Sequence, residues 1–446
     1  MIGKSTVEEA LKIEVAMSDE MVDAIDLWSQ MYNDSAPWLN DTTKSMNMPS
    51  LIANEVARLV TIEADSEISG SARADYLNEQ YKPVMDNIRK ATEYGLAKGG
   101  LIFKPYIDGD KIVVDYVEAD RFYPIRFSKG EMTSVCFVEK MQQGKRYYTR
   151  LEIHRWEKDR YYIENQFYVS DTKDNLGRKV SNTLIPEWAD FEPEIQLQGI
   201  ERPLFSYFKP AIANNIDTGS PLGVSVYSRA VGLIQEADEQ YSRLLWEFEG
   251  GELAIDASVD LFKNQNGTPV LPKGRERLYR ALDIDSNTSS PLNTFSPALR
   301  DVSLLNGLNT IITKIEDACG LARGTFSDVQ NQAKTATELK ILRQRTYATI
   351  VDNQKALEQA LEGLIYAMDI WATLGNLAPQ GEYETKFEWD DSIIVDTETE
   401  QAIRLAEVSA GLLKPIEYIK WRYGVEDEQA LELMPEMMSV TQVETE

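Results

Sequence analysis

Apolar residues recur at threes and fours early in the chain: Met21, Ile25, Trp28 and Tyr32, then Ile52, Val56, Leu59 and Val60. This spacing puts each set on one helical face and predicts two helices separated by a break in 41–49. A third helix is expected over 72–97, ending at Gly99-Gly100, because glycine accepts the left-handed conformation that closes a helix. From 101 to 169 the period becomes two, in KIVVDYV, TSVCFVEKM, YYTRLEIHRW and RYYIENQFYV, with turn signals at Asp108-Gly109, 128–130 and Gln143-Gly144. Four to six antiparallel strands follow. Residues 171–201 are polar and proline-punctuated, an irregular connection anchored by Trp188 and Phe191.

The second half returns to helical spacing. PLFSYFKP, from Pro203, reads as a strand, and a helix follows through Val231, Ile234, Ala237, Asp238, Tyr241, Leu244, Leu245 and Phe248, closed by Gly250-Gly251. Residues 252–300 mix short strands with Gly and Pro turns and hold Lys273, Arg275, Arg277 and Arg280, a compact basic insertion. The next helix, 301–318, lines up Leu304, Leu305, Leu308, Ile311, Ile312 and Ile315 on one face. After the loop GLARGTFSDVQNQA comes the longest helix, 335–374, whose start carries a capping box at Thr335 and Glu338. Its apolar stripe, Leu339, Leu342, Ile350, Leu357, Leu361, Leu364, Met368 and Trp371, extends about 60 Å at ~1.5 Å per residue. A strand and turn, TKFEWDDSIIVDTE, and two or three helices finish the chain, the last around 427–437. The class is α+β, mostly helical, with no internal repeat.

At 446 residues the chain calls for two to four packed regions. Hydrophobic residues make up 43% and charged residues 27%, a composition that folds. No apolar run reaches the ~20 residues of a membrane-spanning helix; LIYAMDIWATL is short and interrupted by Asp369. The N-terminus lacks an apolar signal core, and Cys136 and Cys319 lie far apart, which fits a reduced cytosolic folding environment and buried small apolar roles. A net charge of −27, from 73 acids against 46 bases, argues against a protein whose main task is gripping phosphates. It does not exclude DNA contact, since it fits a merely acidic soluble protein and a weakly sticking channel wall alike.

Candidate chemistry is sparse. The sole histidine, His154, sits in an alternating strand without spaced partners, which removes imidazole triads and HExxH metal sites and leaves a surface or strand-packing role. GxxxxGK[ST] and GxGxxG are absent. Glu382, Glu384, Lys386 and Glu388 share one strand face, followed by Asp390 and Asp391, a grouping that could hold magnesium for phosphodiester cleavage or simply be a solvated face. The cations at Lys273, Arg275, Arg277 and Arg280 fit a solvated hairpin as well as a DNA- or partner-facing surface.

The order of these segments resembles the bacteriophage portal family, especially portals of siphophages infecting Gram-positive bacteria. YGLAKGGLIFKPYIDGDKIVVDYVEADRFYPI looks like the start of the portal wing, and QAKTATELKILR like the start of the long helix behind the tunnel loop. The resemblance implies a wing over 1–225, with its strand region about 101–210. It implies stem helices at 226–251 and 301–320 around a small α/β clip at 252–300, then a tunnel loop at 321–333. The long helix and a wing strand would fill 334–396, and a helical crown 397–446. The tunnel-loop residues are then Leu321, Arg323, Gly324, Thr325, Phe326, Ser327, Asp328, Gln330, Asn331 and Gln332. With one cation and one acid, such a loop can touch a duplex through amides and hydroxyls without strong phosphate neutralisation. Lys273, Arg275, Arg277 and Arg280 would be the clip's docking face. The implied assembly is a homo-oligomeric ring, dodecameric in the family, at one capsid vertex of the virion, built in the host cytoplasm. Its partners would be double-stranded DNA, the terminase large subunit, major capsid and scaffolding proteins and a head-completion adaptor, with no cofactor, no catalytic residue and no membrane. Two competing readings are a capsid-internal structural protein without a channel and a metal-dependent nuclease using Glu384 to Asp391.

Overall fold

In the computed structural model the described residues are 2–252, 254–258, 279–282, 292–328, 336–389, 397–423, 425 and 427–434. The N-terminal periodicity forms α1 (Lys4–Leu11), α2 (Asp19–Tyr32) and α3 (Met48–Thr61). Met21, Ile25 and Trp28 are buried on α2, and Ile52, Val56 and Val60 on α3. Strand β1 (Ala64–Ser69) was not expected: its burial alternates, but only Ile68 is fully buried and ADSEIS holds no other large apolar residue. Helix α4 (Ala72–Lys98) is capped by Ser71, whose side chain accepts the Ala74 amide, and ends at Gly99 with φ +90°.

The alternating region forms β2 (Leu101–Asp108), β3 (Lys111–Glu118), β4 (Phe122–Ser128), β5 (Glu131–Gln143), β6 (Arg146–Glu157) and β7 (Arg160–Ser170). The expected turns at 108–109, 128–130 and 143–144 join them. Beyond lie two strands that the polar, proline-broken sequence concealed, β8 (Arg178–Val180) and β9 (Glu194–Gln198), both paired antiparallel with β7. Strands β4-β5-β6-β7-β8 stand in that order in one sheet, with β9 beside β7. Strand β10 (Ser206–Phe208) joins β2 and β3 in a second sheet.

Helix α5 (Val231–Gly250) precedes β11 (Ala254–Ser258), β12 (Tyr279–Leu282) and β13 (Leu292–Phe295), and α6 (Asp301–Ala318) follows them. Strand β11 pairs parallel with β12 and antiparallel with β13. Helix α7 (Ala336–Leu374) buries Ile350, Leu357, Leu361, Leu364 and Met368, the second half of its predicted stripe, over β2, β10 and α3. Strand β14 (Glu384–Trp389) pairs with β1. A separate unit, Glu388–Glu446, contains α8 (Thr397–Ser409), α9 (Pro415–Tyr423) and α10 (Asp427–Glu432), while Met1–Phe387 forms the other.

Polar anchors fix the larger unit where apolar packing alone would leave registers open. Arg73 at the start of α4 is 1% exposed and bonds the Asp369 carboxylate at 2.7 Å and the Ala378 carbonyl at 2.9 Å. This explains the acid that interrupts the α7 stripe. Asp238 on α5 accepts the Trp38 indole at 2.9 Å and the Met46 amide at 2.8 Å, tying the break between α2 and α3 to α5. At the α4–β2 junction, Tyr207 donates to the Gly99 carbonyl and accepts the Gly223 amide. A Cβ on Gly100 would lie 2.5 Å from the Tyr207 ring, and one on Gly223 2.4 Å from the Gly99 oxygen, so only glycine permits this crossing.

Candidate functional site

The segment joining α6 to α7 is tightly built as far as it is described. Helix α6 closes with Gly320 at φ +73°, and Leu321 turns back to give its amide to the Glu316 carbonyl at 2.9 Å while burying its side chain. This is the Schellman closure with its customary apolar contact. A Cβ on Gly320 would sit 2.6 Å from the Thr349 hydroxyl of α7. The next amide, Ala322, donates to Thr346 of α7 at 2.7 Å.

The centre of the segment is organised by Glu316, an α6 residue 1% exposed. Its Oε1 accepts the amides of Phe326 at 2.6 Å and Ser327 at 2.8 Å. Its Oε2 accepts the Ser327 hydroxyl at 2.7 Å and the Gly324 amide at 3.2 Å. A carboxylate has room for about four such donors, and burying it is tolerable only with them supplied. Asn309, also on α6, accepts the Asp328 amide at 2.7 Å and donates to the Asp328 carbonyl at 2.9 Å, a side-chain imitation of a strand pair. Asp317 receives Arg323 at 2.8 Å and Arg345 at 3.0 Å, and the Arg323 hydrogen bond holds its carboxyl below the usual range.

Measured against the sequence reading, Leu321 and Ser327 are buried, Thr325 and Phe326 half-buried, and Arg323, Gly324 and Asp328 exposed. The expected contact of loop amides with a duplex is corrected at Gly324, Phe326, Ser327 and Asp328: each already donates inside the protein. Gln330, Asn331 and Gln332 lie outside the described residues, as do Lys273, Arg275, Arg277 and Thr335. Arg280 lies in β12 opposite Asp256, and Glu338 in the first turn of α7, with their side chains outside the description. Glu316 and Asn309 were missed because each reads locally as an ordinary helix residue. Only a polar side chain on the buried side of an apolar stripe could have marked Glu316, next to Ile315.

The other candidates disperse. Glu384, Lys386 and Glu388 do share the exposed face of β14, while Asp390 and Asp391 lie outside the description. Among the described residues no three His, Cys, Asp or Glu are placed to hold a metal ion. His154 is buried, not at the surface: its Nδ1 lies 2.7 Å from the Tyr161 hydroxyl and its Nε2 2.8 Å from Glu152. Glu152 also binds Lys104 at 2.7 Å and Arg150. Burial alone would raise the Glu152 pKa, but Lys104, Arg150 and His154 together carry it well below the usual range. Burial lowers that of His154 against the pull of Glu152. Cys136 and Cys319 are free and buried, and burial raises both thiols, Cys319 to about 12. No helix of the described residues is long and apolar enough to cross a membrane.

No curated protein matches the chain by sequence. Among 62 chains of solved structures that do match, one from the neck of a native GTA particle, computed with C12 symmetry, is 11% identical at a TM-score of 0.43, covering 95% of this chain and 99% of that one. The sequence profile of the family described as "Phage portal protein, SPP1 Gp6-like" matches residues 40–442. With nearly all of its 446 residues inside that match, the chain belongs to the phage portal protein family.

Proposed function

We propose that the protein is the portal subunit of a tailed-phage head, assembling as a closed ring at one capsid vertex and conducting DNA during packaging and ejection. The family match over residues 40–442 carries this reading. The helices flanking the basic insertion add support: Trp246 and Phe248 on α5, and Val302 and Leu305 on α6, are 65%, 45%, 65% and 47% exposed in the single subunit. Apolar flanks of this kind are covered when copies repeat head-to-tail around an axis until the ring closes. Helices α5 and α6 serve as the stem in this reading, 252–300 as the clip, and the α6–α7 segment as the tunnel loop. In this reading the subunit conducts DNA and catalyses nothing itself. Packaging energy comes from a terminase docked at the clip, a surface that a head-completion adaptor later takes.

Weighing purified protein by native mass spectrometry and imaging it in the electron microscope tests this directly. The expected result is a closed ring with a central opening, dodecameric as the family resemblance implies. A monomer, or a shell-like lattice under assembly conditions, would instead favour a capsid-internal protein without a channel.

A further inference from the structure

We propose that Glu316 is the positioning residue of the DNA-facing loop: it fixes the loop's reach by taking up amides that could otherwise bond to phosphates. The inference rests on reading the α6–α7 segment as the tunnel loop. A turn needs no buried acid, and one carboxylate receiving four donors from three loop residues is a costly arrangement to bury without purpose. It makes the loop an extension of α6. The Asn309 bonds to Asp328 and the Thr346 bond to Ala322 add a second line of attachment to α6 and a first to α7. Backbone amides converging from a turn form a concavity that binds anions, and phosphates are the anions a DNA channel meets. Here an internal carboxylate fills it. Among the described loop residues, those left exposed are Arg323, partly neutralised by Asp317, Gly324, and Asp328. Such a surface can touch a sliding duplex while neutralising few phosphates.

The test compares Glu316→Ala with Glu316→Gln in full-length protein, both lacking the charge. In Glu316→Gln the remaining oxygen can still accept from Phe326 and Ser327, whereas Glu316→Ala empties the position. Hydrogen exchange read residue by residue should quicken about ten-fold at Phe326 and Ser327 in Glu316→Ala and much less in Glu316→Gln, while Gly324, whose amide also donates to the Ser327 hydroxyl at 3.0 Å, should change less in both. Amides of β6 and α4 should not change in either. Unchanged loop exchange in Glu316→Ala, or equal quickening across the whole protein, would overturn the positioning role. Complementation of a portal-deficient phage supplies the other arm, with Glu316→Ala expected to reduce packaged or retained DNA and Glu316→Gln to restore part of it. A loosened loop with normal packaging would leave the clamp standing and sink the tunnel-loop reading on which its function depends.

Discussion

At the scale of single residues, the buried polar groups decide more than their number suggests. The ionised Glu152 carboxylate can only accept, so His154 donates to it from Nε2, and the neutral ring then accepts the Tyr161 hydroxyl at Nδ1. Both His154 and Glu152 have folded pKa values depressed below their ordinary ones. Groups of that kind contribute stability that is full above the unfolded pKa and lost as pH falls through the folded one. Thermal melting followed against pH should therefore begin to decline below about pH 6.5, the ordinary histidine value, and continue through the carboxylate range. His154→Gln should remove the first part of that decline. It should also cost about 1–3 kcal/mol at pH 8, since one of the two partners is left unsatisfied. None of this was legible in the sequence, where His154 looks like any residue of an alternating strand. Its partner Tyr161 lies across a turn, and Lys104 arrives from another sheet.

Among the elements, agreement between sequence and structure follows how far each pattern is written locally. Helices α2 to α7 and strands β2 to β7 each repeat an apolar spacing over many residues and were readable. Strand β1 was not, because its partner β14 lies some three hundred positions away and Ile68 is its only large apolar residue, whereas β14 sets Phe387 and Trp389 against alternating charged residues and was readable. Helix ends show the same division. Gly320 and Gly411 take positive φ and advertise their role, whereas Asp34 and Asn376 close α2 and α7 in the same conformation without glycine. Long-range anchors are the least legible of all. Asp369 looks like a defect in an apolar stripe until Arg73, nearly three hundred residues earlier, is seen to bond it. Because Arg73 would keep carbonyl and hydroxyl partners, Asp369→Ala should destabilise the larger unit by about 2–4 kcal/mol, at the lower side of losses for a broken buried pair. Chemical denaturation would show it as an earlier midpoint with an unchanged slope; a change under ~0.5 kcal/mol would mean that the carbonyl contacts alone hold Arg73.

For the molecule as a whole, family membership and the exposed apolar flanks of α5 and α6 point to an assembly the single chain does not complete. Val302 is 65% exposed in the single subunit, so the effect of Val302→Glu on subunit stability should stay within about 0.5 kcal/mol. In the ring it would place a charge in a contact repeated at every junction. Sedimentation should show smaller species at unchanged secondary structure, and an intact ring would move the subunit contact elsewhere. One further contact sits where α5 ends and α6 begins. Glu247, near the end of α5, accepts the Arg300 amide at 2.9 Å and its guanidinium at 2.7 Å, just where α6 begins. The two ends of the 252–300 insertion are thus fastened side by side, by Glu247 just before it and Arg300 at its last position. Closing a longer or shorter span between fastened ends changes the chain entropy only slowly with length. On the proposed portal reading, the insertion would be an exchangeable cartridge, free to differ in size and charge while the helices that carry it stay clasped.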